Sequence, residues 1–146
     1  MIALVIDSEE SRRKRVADAL QEARFNVVEI EESGGVVDHI VGPPNLIIVM
    51  DEETRSVGGL KLVSGLRRLT NAPIIVMGSG RKDSLIEFIY QGADLYLERT
   101  VTIREFLARI HAVVRRYIVS KGATLKHSQP PDGAGPGLCP AGVPFL

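Results

Sequence analysis

The sequence predicts an α/β fold, a doubly wound five-stranded parallel sheet with helices on both faces. Three observations carry this expectation. Five short apolar runs rich in Val and Ile alternate with segments of helical period. The three central runs show no polar alternation, as strands covered on both sides require. Gly, Pro and Asn punctuate the joints, in "GPPN", "TNAP" and "GSG".

The strand-like runs are "IALVI" (2–6), "NVVEI" (26–30), "LIIVM" (46–50), "PIIVM" (73–77) and "DLYLE" (94–98). Between them, Val16, Leu20 and Ala23 share one helical face, as do Val36, Val37, Ile40 and Val41. Leu62, Val63, Leu66 and Leu69 repeat the pattern in a third helical segment. A fourth, "DSLIEFIYQ", is apolar on both faces. In the last helix Phe106, Leu107, Ile110, Val113, Val114 and Tyr117 keep helical spacing. After about residue 119 the chain turns Gly- and Pro-rich and loses apolar period. The expected organisation is a domain over 1–119 and a linker or tail over 120–146.

Composition narrows the function. The 146 residues suffice for one domain, and 18 basic residues balance 18 acidic ones. No bulk attraction to nucleic acid or to an anionic membrane is expected. The longest aliphatic run, "LIIVM", is too short to span a bilayer. The start, "MIALVIDSEE", has no basic leader segment. Cys139 is the only cysteine, which excludes an intramolecular disulfide and a thiolate zinc cluster. These features describe a soluble cytoplasmic protein.

The acids then locate a site. In a doubly wound sheet functional groups collect at the carboxyl ends of the strands, near the switch point. The flavodoxin-like order 2-1-3-4-5 puts that point between strands 1 and 3. Asp7 closes the first strand and Asp51 the third, so the two carboxylates should face each other across the crevice.

On these residues the chain resembles the CheY-like receiver domains of bacterial two-component response regulators. "ALVIDSEESRRKRVADAL" resembles their first strand and helix, "NLIIVMD" the strand that ends in the phosphoacceptor, and "PIIVMGSG" the fourth strand. "QGADLYLERTVTIREFLARIHAVVRR" is close to the last strand and helix of the OmpR/PhoB class. The resemblance covers residues 2 to about 118.

That resemblance implies that Asp51 is the phosphoacceptor, that Asp7 belongs to the acidic pair, and that Tyr96 is the switch aromatic. In the family a carboxylate attacks a phosphohistidine, while a divalent cation, a cationic side chain and a hydroxyl steady the phosphoryl oxygens. Three parts differ here. Ser8 replaces the second metal-binding acid; Glu9 or Glu10 could reach in, but both begin the helix and fit its N-terminal dipole equally well. Gly78 stands where the hydroxyl is expected, with Ser79 one place late. Arg99, followed by Thr100, replaces the lysine of a Lys-Pro pair whose bond is cis in the family. A cis bond before Thr100 would cost about 2.5–4 kcal/mol, so a trans bond and a shifted Arg99 are expected.

The site is therefore expected to be degenerate. Mg2+ at Asp7, Asp51 and Glu53 should be weak or absent, and the domain should work through protein contacts, independently of phosphorylation. Asp51→Asn should leave partner binding nearly intact, and stabilise the fold by relieving repulsion from Asp7. Two alternatives stay open: a competent phosphoacceptor served by a histidine kinase, and a small-ligand domain using the 78–83 turn "GSGRKD". No enzymatic activity beyond self-phosphorylation is expected.

The partner surface is read from the fourth helical segment, the last strand and the last helix, which the resemblance implies as a dimer face. Leu85, Tyr90 and Leu95 there replace charged positions, while Asp94, Glu105 and Arg109 keep theirs. A homodimer, or contact with a kinase or an output protein in transcriptional regulation, follows. The basic run "SRRKR" (11–15) reads as a solvated helix face.

Overall fold

A computed structural model of the chain describes residues 1–31, 46–53 and 58–126. The second helical segment, over 36–41, and the part of the expected tail beyond residue 126 lie outside the described residues.

The described strands are β1 (Ile2–Ile6), β2 (Asn26–Ile30), β3 (Leu46–Asp51), β4 (Ile74–Gly78) and β5 (Leu95–Glu98). They form one sheet in the order β2-β1-β3-β4-β5, with every neighbouring pair parallel. The described helices are α1 (Glu10–Glu22), α2 (Gly59–Leu69), α3 (Lys82–Gln91) and α4 (Ile103–Lys126). The last helix thus runs through the first residues of the stretch read as a tail.

Period-two alternation within apolar strands builds two separate cores. Leu4 and Ile6 of β1, Ile74 and Val76 of β4, and Tyr96 of β5 face Leu62, Val63 and Leu66 of α2 and Phe88 of α3. Ala3 and Val5, Ile75 and Met77, and Leu97 face Leu20 of α1 and Phe106, Ile110 and Val114 of α4. Both faces of β1 and β4 are therefore dry, which explains a run such as "IIVM" at 74–77 with no polar residue. β2 lies at the sheet edge, and there the sequence tolerates Asn26 and Glu29.

Local chemistry sets the ends of the elements. Glu9 is the N-cap of α1: its carboxylate accepts from the backbone N–H of Ser11 at 2.9 Å and of Arg12 at 3.0 Å. Those two bonds hold its pKa below the usual carboxylate range. Thr102 starts α4 by accepting at Oγ1 from the Glu105 N–H, 3.1 Å away. Gly92 stops α3 at φ 121°, a left-handed conformation that suits glycine. Parallel β1 and β3, adjacent and in register from Ile2 opposite Leu46, end side by side. That register brings Asp7 and Asp51 together.

Candidate functional site

Two acids that end neighbouring strands meet in a nearly dry crevice. Asp7 is 7% exposed and Asp51 4%. Isolated carboxylates so placed would be costly to keep charged, yet each has its own guanidinium. Arg12, in the first turn of α1, folds back over the end of β1 and donates to Asp7 twice, from Nε to Oδ2 and from Nη2 to Oδ1, both at 3.0 Å. Arg99, just past β5, donates to Asp51 from Nε to Oδ2 at 2.8 Å and from Nη2 to Oδ1 at 3.2 Å. Arg12 Nε also lies 3.7 Å from Asp51 Oδ2, so the four groups form one alternating lattice. Backbone amides complete the cradle: the Glu9 N–H reaches Asp7 Oδ1 and the Glu53 N–H reaches Asp51 Oδ1, each at 2.8 Å. Bidentate pairs of this kind are the stronger class of charged hydrogen bond. Hydrogen bonding to Asp7 raises the Arg12 pKa and hydrogen bonding to Asp51 raises that of Arg99, in both cases outweighing partial burial.

The donor set does not suit a divalent metal. Both oxygens of Asp7 and of Asp51 already accept from guanidinium groups. Two unit charges 4 Å apart at an effective dielectric of 20 interact by about 4 kcal/mol, so a dication beside one guanidinium meets about twice that repulsion. Ser8 adds only a neutral hydroxyl, and Glu9 is spent on the helix cap. Glu53 has a side chain 73% exposed, with Oε2 3.6 Å from Arg99 Nη2. Among the described residues no cluster of three or more His, Cys, Asp or Glu is placed to hold a metal ion.

Beside the lattice, Gly78 packs directly against Glu52 and Tyr96. A Cβ at Gly78 would strike the Glu52 carboxylate and the Tyr96 hydroxyl. The Tyr96 hydroxyl donates to Glu52 Oε2 at 2.6 Å and accepts from the Gly80 N–H at 3.1 Å, while its ring stacks on Phe88 at 6.0 Å between centroids. Burial first, and the bond to Glu52 second, push the Tyr96 pKa up. A raised phenol pKa favours the neutral hydroxyl in the fold. Its contribution is complete below the ordinary tyrosine range and fades as pH rises through the raised value.

Several expectations are corrected. Glu9 does not join Asp7 and Asp51; it caps α1. Glu52, a third acid beside Asp51 in the sequence, turns instead to the Tyr96 hydroxyl. Ser79 is exposed, and its Oγ accepts from the Arg81 N–H at 3.4 Å. With the Gly80 amide bonded to Tyr96, two amides of the 78–83 turn already have partners and do not present an open anion nest. The repulsion expected between Asp7 and Asp51 is cancelled by the arginines, so Asp51→Asn should weaken the fold by unpairing Arg99. Arg99, expected to be shifted by the trans bond, still reaches Asp51 at 2.8 Å, and no described peptide bond is cis.

Arg12 was missed, being read as solvated within "SRRKR". Arg13 was missed with it: Nη1 donates to the Asp7 carbonyl at 2.9 Å and Nε to Glu29 at 3.1 Å. The available signal was the spacing. An arginine five residues after a strand-terminal aspartate, across a tight strand-to-helix joint, lies within reach of it.

No family model matches the chain. Among curated proteins, the transcriptional regulatory protein KdpE of Mycobacterium tuberculosis is 30% identical over 117 residues, covering 79% of this chain and 51% of that protein. The phosphate regulon transcriptional regulatory protein PhoB of Pseudomonas aeruginosa is 31% identical over 117 residues, covering 77% and 51%. The chain thus spans about half the length of these relatives. A two-component response regulator from Clostridium difficile has the same fold, with TM-score 0.74 at 19% identity, over 80% of this chain and 98% of that one. Other receiver domains share it at similar TM-scores.

The steric account of Gly78 makes a prediction. Gly78→Thr alone should overpack the Glu52–Tyr96 pair and cost about 1–3 kcal/mol. Adding Glu52→Ala should recover much of that loss, and urea denaturation of the double-mutant cycle measures the coupling. Additive single effects would show that Glu52 does not occupy the position. Its sequence relatives are response regulators and its structural neighbours receiver domains, and the chain has the CheY-like receiver fold.

Proposed function

We propose that this receiver domain signals through protein contacts without needing phosphorylation at Asp51, in the cytoplasm and in transcriptional control of the two-component type. One observation carries the reading: guanidinium groups of Arg12 and Arg99 hold both oxygens of each acid, where a metal ion and a phosphoryl group would have to enter. Nucleophilic attack by Asp51 requires a free lone pair aimed at phosphorus and a cation to neutralise the transferring oxygens. Arg99 and Arg12 supply charge, but it is already directed at Asp51 and Asp7. The Gly78 position, closed by Glu52 and Tyr96, supports the same reading by removing a hydroxyl ligand. On this account the domain has no enzymatic activity and no resident cofactor.

Acetyl phosphate with Mg2+ tests this directly by intact mass. The unmodified protein should gain no phosphoryl mass. Ser8→Asp combined with Arg12→Ala and Arg99→Lys should gain one, at Asp51. Stoichiometric modification of the unmodified protein, lost in Asp51→Asn, would establish the competent phosphoacceptor instead.

The contact surface in this proposal is the outer face of α3 with β5 and α4, joining two copies of the chain. Leu85, Ile86, Ile89 and Tyr90 are exposed, Tyr90 at 87%, while only Phe88 of α3 is buried. A run of exposed apolar side chains on one short helix is a common mark of an interface. The charges expected to lace it are partly engaged within the chain. Asp94 Oδ2 pairs with Arg67 at 2.9 Å and accepts from the Ile74 N–H at 2.8 Å, and Glu105 pairs with Arg109 at 3.0 Å. The drive is therefore apolar. Leu95 is half-buried against the sheet core, so its substitution would also disturb the fold.

Burying one large apolar side chain contributes about 1.5–3 kcal/mol, and association must overcome roughly 4–15 kcal/mol. Micromolar dimerisation is the expected balance. Sedimentation equilibrium should show a dimer that survives raised salt and a folded monomer for Tyr90→Glu. Dissociation by modest salt would refute an apolar interface.

A further inference from the structure

Behind the acid lattice lies a cavity of about 220 Å³, between the first turns of α1 and the connection from β5 to α4. Its floor is apolar: Val5, Val16, Met77, Val101, Ile103 and Phe106. Its polar lining is Asp7, Asp51, Arg12, Arg15 and Arg99. An apolar cavity of ~150 Å³ is enough to admit benzene, so this one accommodates a single substituted ring.

The mouth is rich in donors and poor in free acceptors. A guanidinium has five N–H donors, and the bonds from Arg12 to Asp7 and from Arg99 to Asp51 use two in each case. Arg15 is exposed and makes no hydrogen bond or ion pair with the described residues. The two aspartates at the mouth already face guanidinium groups, Glu9 is held by the α1 amides, and Glu53 projects into solvent beyond Arg99. A cationic head group would meet Arg15 and the outer edges of two more cations. An anionic head meets unused donors.

We propose that this cavity binds a compact arylcarboxylate, with its ring on the Val16–Val101–Phe106 floor and its carboxylate against the free N–H groups of Arg12, Arg15 and Arg99. The inference rests on the reading that arginines, and not a metal ion, hold Asp7 and Asp51. Such a ligand would bridge α1 to the start of α4, and so couple the acid lattice to the helix that carries part of the contact face.

Phenylacetate is the probe, added to the full 146-residue chain and followed by backbone amide NMR and calorimetry. Saturable shifts at Arg15, Val16 and Val101 are expected, with a dissociation constant of about 1 mM or tighter. 2-Phenylethanol should bind at least about fivefold more weakly, and acetate and phenethylamine should give no saturation. Val16→Phe fills the cavity and should abolish binding. Arg15→Gln, a surface change that leaves the core alone, should weaken it about threefold to tenfold. Absence of saturable binding, equal binding of phenethylamine, or unchanged binding in Arg15→Gln would each overturn the proposal. Repeating the titration with millimolar Mg2+ separates the two readings. Failure to bind with or without Mg2+ removes the ligand site alone, whereas competition by Mg2+ would show that the arginines yield to metal and would remove the arginine reading as well.

Discussion

Two carboxylates at the ends of adjacent buried strands form the constraint around which this domain is arranged. Parallel pairing of β1 with β3 forces Asp7 and Asp51 to the same edge, and burial forbids leaving their charges bare. A divalent cation is one way to satisfy such a pair. This chain places two guanidinium groups there instead, from opposite sides of the crevice: Arg12 from α1 and Arg99 from the end of β5. The first draws the N-terminus of α1 down onto β1. The second fixes the chain leaving β5, where the Arg99 N–H also bonds the Gly78 carbonyl at 2.8 Å. The lattice thus ties three segments of the sheet edge together.

A second constraint follows from the residue after Asp51. Glu52 turns away from the acid pair to accept from the Tyr96 hydroxyl, and that placement leaves no room for a side chain at Gly78. Loss of the hydroxyl on β4 and the buried position of Tyr96 are one packing solution, with Phe88 of α3 as its floor. It gives α3 its single buried contact and leaves four large apolar side chains of that helix facing outward.

Much of the fold was legible because alternation and length are local signals. The five runs became strands, the first two with the expected bounds and the others with ends moved by a residue, and Asp7 and Asp51 met because strand order brings their termini together. What was not legible depends on where long side chains turn. Glu9, Glu52 and Arg12 each have several rotamers and more than one oppositely polarised partner within reach. Glu9 chose the amides of α1, Glu52 a phenol 44 residues away, and Arg12 the acid five residues back. A count of charges near Asp51 saw repulsion where the folded chain has a neutral lattice. The helical face of Val36, Val37, Ile40 and Val41 falls outside the described residues.

The central claim is that arginine, not metal, holds the acid pair, and side-chain NMR of Arg12 and Arg99 reads it most directly. Their Nε–H resonances should be protected from exchange in the protein without added metal, since each donates to a buried carboxylate. Through a Mg2+ titration into the millimolar range both should stay unmoved. Loss of both resonances along one saturating curve, with new exchange broadening at Asp7 and Asp51, would show that the ion displaces the guanidinium groups and would contradict the account.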